Sequence, residues 1–293
     1  DSLFRAGGSW GVSFYNGFGP VDEPIPVIRS TFTTTSSVGG AVDTWSSSHD
    51  ITFTESYIEC AGAANTNCFN TNATGTSLIR STVASNNLGS AVLVDIDARV
   101  TDSWIMTTSA NGTALENRYN NSDDVRIVRS TLTARGGPAL RVATNATGLA
   151  ASIYAYSSDY YAVLFDRAST FTIVDSYIQG STAVYVSGST GATIGGSVLV
   201  ATHTYGSALA FSTGNINLSL TTSTLLATSS GRGLTLSGGS GGDVSLSSVV
   251  VTGAARGMEI STQAGNFSLV VDSITFRALA SGATAMHFLG GTF

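Results

Sequence analysis

The sequence predicts an all-β solenoid of about eleven coils, with three short strands in each coil. Three observations predict it: a serine motif that recurs along the chain, a second motif about ten residues later in each repeat, and short alternating apolar runs rich in Val, Ile, Thr and Tyr. Helical spacing is not sustained, and the breaks between runs are rich in Gly, Ser, Asn and Asp. The fold class therefore follows from repetition rather than from one element.

The first motif is an apolar residue, two variable residues, a serine, one variable residue and a residue that is usually apolar. Successive serines are 21 to 27 residues apart, with a mean near 24. We expect the serines to stack at one corner, where their hydroxyls bond to neighbouring coils, and the second apolar position, which includes Tyr154, to face the core. The serines are Ser30, Ser56, Ser81, Ser103, Ser130, Ser152, Ser176, Ser197, Ser223, Ser247 and Ser273.

The second motif is a small residue followed by an apolar one. The small residue predicts a wall with no room for a larger side chain, and the apolar residue predicts a core position. Serine-rich sequence alone would not keep apolar residues in phase over eleven repeats, so the two motifs together predict stacked coils. The pairs are Ala41-Val42, Cys68-Phe69, Ala91-Val92, Ala114-Leu115, Ala139-Leu140, Ala162-Val163, Ala183-Val184, Ala208-Leu209, Gly233-Leu234, Gly257-Met258 and Ala285-Met286.

The repeat spans residues 27–293, and residues 1–26 do not fit it. Equivalent positions of neighbouring coils are expected about 4.8 Å apart, which makes a rod roughly 50 Å long. Residues 1–26 are rich in aromatic residues and glycine, so we expect them to cap the first coil or to reach another subunit.

The phased pattern of residues 27–293 resembles the right-handed parallel β-helix repeats of pectate-lyase-like proteins, autotransporter passengers and bacterial surface proteins. The resemblance implies a right-handed parallel β-helix in an extracellular or cell-surface setting. It is specific for the fold, and it does not choose between a lyase, an adhesin and a fibre.

The composition excludes two classes of partner. Charged residues make up 11% of the chain, the net charge is −6, and every basic residue other than histidine is Arg. Nucleic acids and anionic membrane surfaces both require a basic face. There is no run of 18 apolar residues, so membrane insertion is not expected. The chain has neither an initiator Met nor a signal-peptide pattern, so we expect a processed protein or a fragment.

The cysteines and the glycosylation sequons favour an extracellular protein. Cys60 and Cys68 are close enough for a local disulfide, and the alternative is a pair of free thiols. Because Ser and Thr are abundant, the sequons permit glycosylation without requiring it. The Asn-x-Ser/Thr sequons are at Asn72, Asn111, Asn120, Asn145, Asn217 and Asn266.

Charged residues precede the first five repeat serines, and their signs alternate. Stacked one coil apart, they would form a ladder of ion pairs that opposes a one-coil slip. Two further pairs occupy matching positions, Glu116 with Arg141 and Asp95 with Arg118. The ladder residues are Arg29, Glu55, Arg80, Asp102 and Arg129.

The sequence shows no recognisable catalytic constellation, and we predict no catalytic residue, metal or cofactor. The histidines His49, His203 and His287 lie in distant coils, which argues against a catalytic triad. The segment Asn120–Asp124 has calcium-compatible oxygens but equally fits a solvated turn. Asp159, Asp166 and Arg167 form another group with no stronger claim.

Three aromatic residues follow repeat serines directly: Tyr57, Trp104 and Tyr177. The pleat of a strand turns this position outward, so these rings could stack on sugars or on another protein.

We predict an extracellular structural or adhesive protein, or a subunit of a head-to-tail surface filament. The alternative is a polysaccharide lyase or hydrolase, or a glycan-binding module, on the same fold. A groove lined by carboxylates and Arg from adjacent coils favours the alternative, and a bare groove favours the scaffold. The predicted end-to-end contact joins Leu3, Phe4, Trp10, Phe14 and Phe18 to Met286, Phe288 and Phe293.

Overall fold

The computed structural model describes most of the chain. The described ranges are 2–6, 11–15, 25–36, 39–45, 50–62, 66–71, 75–95, 97–118, 124–143, 146–167, 170–188, 191–214, 217–228, 230–238, 242–262 and 267–289. All regular elements in these ranges are β-strands, and they pair in parallel into three sheets. The fold is a parallel β-solenoid with three strands in each coil, as predicted.

Each coil contributes one strand to sheet C, then one to sheet A, then one to sheet B. Sheet A contains Ser2–Ala6, Ser30–Thr34, Tyr57–Cys60, Thr82–Ser85, Trp104–Thr107, Thr131–Ala134, Tyr154–Ser157, Tyr177–Gly180, Val198–Ala201, Thr224–Ala227, Val250–Gly253 and Thr275–Ala278. Sheet B contains Val12–Tyr15, Val42–Trp45, Phe69–Thr71, Val92–Val94, Leu115–Asn117, Leu140–Val142, Tyr161–Asp166, Thr182–Ser187, Ser207–Thr213, Arg232–Gly238, Arg256–Thr262 and Thr284–Phe288. Sheet C contains Ile25–Ile28, Ile51–Thr54, Thr76–Ile79, Ala98–Thr101, Asp124–Val128, Thr147–Ala151, Thr170–Val174, Ala192–Gly195, Leu218–Thr221, Gly242–Ser247 and Phe267–Asp272.

Coil 1 begins at Ile25, and eleven coils follow one another to Phe288. Two strands precede coil 1: Ser2–Ala6 pairs with sheet A, and Val12–Tyr15 pairs with sheet B. The prediction that residues 1–26 lie outside the repeat is therefore wrong for these strands, because their backbone groups continue the two ladders.

The core is built from columns of identical positions. All eleven apolar residues of the second motif share one column in sheet B, from Val42 to Met286, as predicted. The small residues before them are also buried up to Gly257, since the neighbouring wall leaves no space there. Apolar side chains therefore stack along the rod rather than around one centre.

The serine column is confirmed in eight coils and wrong in three. In coils 1 to 4 the backbone N–H of each serine donates to the hydroxyl of the serine in the next coil, as from Ser81 to Ser103 Oγ at 3.1 Å. Ser152 and Ser273 instead hold the left-handed corner, and Ser247 pairs with Thr221 inside sheet C.

The shift in coil 6 has a packing reason. Ile153 takes the serine position and is buried, while Tyr154 turns outward and stacks on Tyr177 with ring centroids 5.6 Å apart. A one-residue slip exchanges the two faces of a strand, so Ala155 and not Tyr154 enters the core. Val249 and Ile274 take the same position in coils 10 and 11, because the apolar residue fills the interior better than serine does.

The corner before this column has left-handed backbone in every coil, with φ between 44° and 58°. This conformation strains residues other than glycine, and here interstrand hydrogen bonds hold it. The amide of Arg80, for example, donates to the carbonyl of Thr101 at 3.0 Å. The corner residues are Arg29, Glu55, Arg80, Asp102, Arg129, Ser152, Asp175, Gly196, Thr222, Ser248 and Ser273.

Cys60 and Cys68 form the predicted disulfide, with Cα atoms 5.6 Å apart. Cys60 ends a strand of sheet A, and Cys68 precedes a strand of sheet B. Both cysteines are fully buried, so the bridge fastens the corner between these sheets from inside.

Candidate functional site

A groove with a volume of about 490 Å³ crosses the outer surface of sheet B. Three neighbouring strands form its floor, Leu140–Val142, Tyr161–Asp166 and Thr182–Ser187, and their outward side chains line it. We call it the tyrosine groove. Its lining is Asn111, Thr113, Gly136, Gly137, Pro138, Arg141, Tyr160, Tyr161, Leu164, Asp166, Tyr185 and Ser187.

Three tyrosines form the aromatic part of the tyrosine groove. Tyr161 and Tyr185 are stacked, with ring centroids 4.5 Å apart and planes 10° from parallel. Tyr160 packs against Tyr161 at 4.4 Å and is 39% exposed. Burial raises the pKa of Tyr161, with Tyr160 and Tyr185 adding to the effect, so its hydroxyl stays a hydrogen-bond donor. Together the rings offer an apolar surface with polar tips.

An ion-pair network forms the polar part. Arg141 Nη1 lies 3.2 Å from Glu116 Oε1, and its Nη2 lies 3.2 Å from Asp166 Oδ2, so one guanidinium joins three successive coils. The Ser90 hydroxyl donates to the second carboxylate oxygen of Glu116. The predicted match of Glu116 with Arg141 is confirmed, because the two residues are register partners.

Asp95 lies beside this network. Burial raises its pKa to about 6; Arg118 acts in the opposite direction, and Glu116 and Asp43 add to the rise. Within the described residues its Oδ1 is buried and has no hydrogen-bond partner. The predicted match of Asp95 with Arg118 is supported by this electrostatic coupling and by equivalent backbone positions one coil apart.

The predicted corner ladder is confirmed for four of its residues. Arg80 Nη2 lies 3.0 Å from Glu55 Oε1, and Arg129 Nε lies 2.7 Å from Asp102 Oδ1. The hydrogen bond from Arg129 lowers the pKa of Asp102, and Arg80 on its other side also contributes. Arg29 occupies the same corner in coil 1.

The predicted outward aromatic residues are confirmed. Tyr57, Trp104 and Tyr177 are 38%, 48% and 38% exposed, and all three lie on the outer face of sheet A. They therefore lie on a different sheet from the tyrosine groove, which is on sheet B, and the structure does not combine the two aromatic sets into one site.

The sequence offered two acidic clusters as candidate sites, and of their described residues only Asp166 lines the tyrosine groove. Asp124 pairs with Arg126 on sheet C, and the rest of Asn120–Asp124 lies outside the described residues. His203 and His287 are in coils 8 and 11, while His49 is not described. Among described residues no three His, Cys, Asp or Glu side chains are arranged to hold a metal ion.

Two sequons lie in described segments, and both Asn111 and Asn217 are exposed. Asn111 also lines the tyrosine groove, so a glycan there would compete with a ligand. Glycosylation itself stays a prediction. The remaining sequons, Asn72, Asn120, Asn145 and Asn266, lie outside the described residues.

The end-to-end contact also stays a prediction. Leu3, Phe4 and Phe288 are 59%, 41% and 42% exposed. Phe4 stacks on Phe32, and Phe14 packs edge-on against the same ring. Of the other proposed contact residues, Met286 is partly buried against the core, and Trp10, Phe18 and Phe293 lie outside the described residues.

Sequence reasoning missed the tyrosines of the groove. Leu164 and Tyr185 each stand two residues after a small residue of the second motif, a position that the pleat turns outward. Writing out that outward column would have placed Glu116, Arg141, Leu164 and Tyr185 in one row.

The fold and the groove define a parallel β-solenoid with a tyrosine- and carboxylate-lined site on its outer surface. No protein-family model, no curated protein and no solved structure matches the chain. Over the ranges that the structure describes, no helix is long and apolar enough to cross a bilayer.

Proposed function

We propose that the chain is an extracellular adhesive β-solenoid that binds a neutral glycan in the tyrosine groove. The observation that carries the proposal is the juxtaposition of stacked Tyr161 and Tyr185 with the Arg141–Asp166 ion pair in one open groove. Sugars present apolar C–H faces and hydroxyl edges, so they suit aromatic rings beside charged hydrogen-bonding groups.

The charges favour a neutral sugar over a uronic acid. Arg141 is already shared by two carboxylates, Glu116 and Asp166, so the network carries a net negative charge. An acidic polysaccharide would be repelled by this surface. The low overall charge of the chain agrees with an uncharged partner.

An extracellular setting is supported by the buried Cys60–Cys68 disulfide, since such bonds persist mainly in oxidising compartments. The two exposed sequons agree with this setting. We also propose that the solenoid is right-handed and is related to the β-helices of surface proteins, which its repeat resembles.

Binding to an array of neutral and uronic-acid oligosaccharides tests the proposal. We expect at least one neutral class to bind, and Tyr161→Ala and Tyr185→Ala to weaken it about ten-fold. Tyr205→Ala is the matched control, because Tyr205 is 71% exposed and is not among the residues that line the groove. Failure of every glycan to bind, or equal loss in the control, would reject the proposal.

A second candidate function is hydrolysis of the bound glycan. Glycosidases commonly pair a protonated carboxyl, which donates to the leaving oxygen, with an ionised carboxylate. Asp95, with a pKa of about 6, stands beside Glu116, which Arg141 and Ser90 hold. Neither carboxylate is among the residues that line the groove, so hydrolysis requires a glycan that extends past Arg141. Release of reducing sugar that peaks below neutral pH and is abolished by Asp95→Asn and by Glu116→Gln would establish it. If the glycan stays intact, hydrolysis is ruled out and glycan binding remains the proposed function.

A further inference from the structure

The outer face of sheet A carries a column whose side chains alternate in size from coil to coil. The strands pair in register, so these positions form one column. Small and large side chains alternate along it over coils 1 to 6. The aromatic members are 38% to 48% exposed. The column reads Thr31, Tyr57, Thr82, Trp104, Thr131 and Tyr154.

Two neighbouring columns share this period of two coils. At the corner beside the face, Glu55, Arg80, Asp102 and Arg129 alternate in charge. On the face itself, Ala84 in coil 3 is followed by Met106 in coil 4. Odd and even coils therefore differ in volume and in charge.

We infer that sheet A binds a second copy of this chain, face to face and antiparallel, about a two-fold axis that runs between Thr82 and Trp104. Such an axis, parallel to the strands, keeps each column opposite itself and places odd coils opposite even coils. The interface is isologous, so it closes at a dimer.

The size alternation is self-complementary under this operation. Thr82 faces Trp104 of the partner subunit, and Thr131 faces Tyr57 of the partner subunit. Each large ring of coils 1 to 6 therefore meets the space above a threonine, which is the arrangement that close packing of two sheets requires. At the two ends of the overlap, Leu3 faces Tyr177 of the partner subunit. Thr31 likewise faces Tyr154 of the partner subunit.

The second face column follows the same rule, because Ala84 faces Met106 of the partner subunit. Glu59, a charged member of this column, faces Thr133 of the partner subunit and therefore no like charge. Like charges opposed across such an interface would disfavour association.

The corner charges complement each other across the same axis. Arg80 stands opposite Asp102 of the partner subunit, and Glu55 stands opposite Arg129 of the partner subunit. These pairs lie at the rim, where they fix register more than they add affinity. A shift by one coil would oppose Arg to Arg, and it would also oppose the large rings to one another.

The overlap runs from the strand Ser2–Ala6 to the strand Tyr177–Gly180, eight strands in all. At about 4.8 Å per strand and about 13 Å of strand length, each partner contributes about 500 Å² of face. The total of about 1,000 Å² is at the lower limit for a specific interface, so the dimer is expected to be weak and reversible.

Cysteine cross-linking tests the predicted register. Thr31→Cys and Tyr154→Cys are five coils apart within one chain, so they meet only across the proposed axis. Because packed sheets lie about 10 Å apart, the mixture of the two single variants is treated with a bis-maleimide cross-linker about 8 Å long. The mixture should give a covalent dimer on a denaturing gel, and either variant alone should not. Thr224→Cys mixed with Thr31→Cys is the control, because Thr224 lies in the same column outside the overlap. Cross-linking of the control to the same extent would overturn the inference.

Sedimentation equilibrium tests the face itself. Wild type should show a reversible monomer–dimer equilibrium, and Trp104→Glu should weaken it at least about ten-fold. Thr224→Glu is the matched control and should leave it unchanged. A wild type that stays monomeric at its highest soluble concentration, or a dimer that Trp104→Glu does not weaken, overturns the inference. So does a monomer whose Trp104 is needed for binding an insoluble neutral polysaccharide, since that result assigns the face to a glycan.

Discussion

Coils 1 to 5 and coils 6 to 11 share the same core columns and the same left-handed corner. They differ in the residues at that corner and in the column that follows it. The earlier coils carry an unbroken serine ladder and alternating charges, from Arg29 to Arg129. In the later coils Ile153, Val249 and Ile274 replace serines, and among the corner residues only Asp175 is charged.

This difference shows which interactions maintain the fold and which ones fix the register of the coils. The left-handed corner persists in coils 6, 10 and 11, where the corner is uncharged and an apolar residue replaces the column serine, so stacking of strands and core columns maintains it. The serine hydroxyls satisfy buried amides, and they do so in coils 7 to 9 as well as in the earlier coils. The alternating charges belong to the earlier coils, where they oppose a slip by one coil. The following predictions test that division, beginning with the largest expected effect.

Removing the disulfide should destabilise the earlier coils most. Cys60→Ala with Cys68→Ala opens a short closed loop, and the chain-entropy model gives a loss of about 2.5 kcal/mol in the free energy of unfolding. Urea unfolding measures the loss, and limited proteolysis should first cut near coils 2 and 3. First cleavage in coils 9 to 11 instead would contradict a local role for the bridge.

Ser103→Ala should cost about 2 kcal/mol in the free energy of unfolding. It removes the acceptor for the Ser81 amide and the donor to the Thr101 carbonyl, both at a buried corner. Ser152→Ala is the matched control, since that serine belongs to the same sequence motif but lies exposed at the corner. Equal losses for the two variants would show that the ladder contributes nothing beyond the hydroxyl itself.

Asp95→Asn should stabilise the protein above neutral pH. The folded-state pKa of about 6 exceeds the ordinary 3.8, so the native state favours the protonated carboxyl; the stability this gives is full below pH 3.8 and lost as the pH rises through 6. Because the side chain is only partly buried, screening limits the gain of the variant to about 1 kcal/mol at pH 8.

Thermal unfolding of wild type and Asp95→Asn across pH 3.5 to 8 measures this difference. The curves should converge at the acid end, separate between about pH 4 and 6, and stay a constant distance apart above that. Asp243→Asn, an exposed aspartate of the later coils, is the control and should follow wild type throughout. A constant offset between wild type and Asp95→Asn at every pH would refute the titration as its cause.

Glu55→Gln should have the smallest effect, about 0.2–1 kcal/mol, because its ion pair with Arg80 is exposed. The loss should disappear in high salt, as expected for a screened surface pair. Asp175→Asn is the control in the later coils, where Ser152 and Gly196 flank it at the corner. A salt-independent loss in Glu55→Gln would point to packing rather than charge.

Sequence reasoning recovered the repeat, the second motif and the corner charges because each recurs at a nearly regular spacing along the chain. It recovered the disulfide because the two cysteines are close in sequence. It failed at Ser152, Ser247 and Ser273, where a nearby apolar residue competes with serine for the interior. The tyrosine groove was missed for another reason. Only its central row follows the second motif, whereas Tyr160 and Tyr161 belong to neither motif and join that row through the stacking of coils 4 to 7.

The sequence by itself determined the solenoid, since two phased motifs and short alternating runs allow no other arrangement that buries the apolar residues. Only the tertiary structure decided which residue of each coil enters the core, because a shift of one residue changes little in the pattern but exchanges the two faces of a strand. It also decided the candidate site, since Asp166 joins Arg141 from the next coil and Tyr161 stacks on Tyr185. The matching positions of Glu116 and Arg141 alone do not specify these contacts.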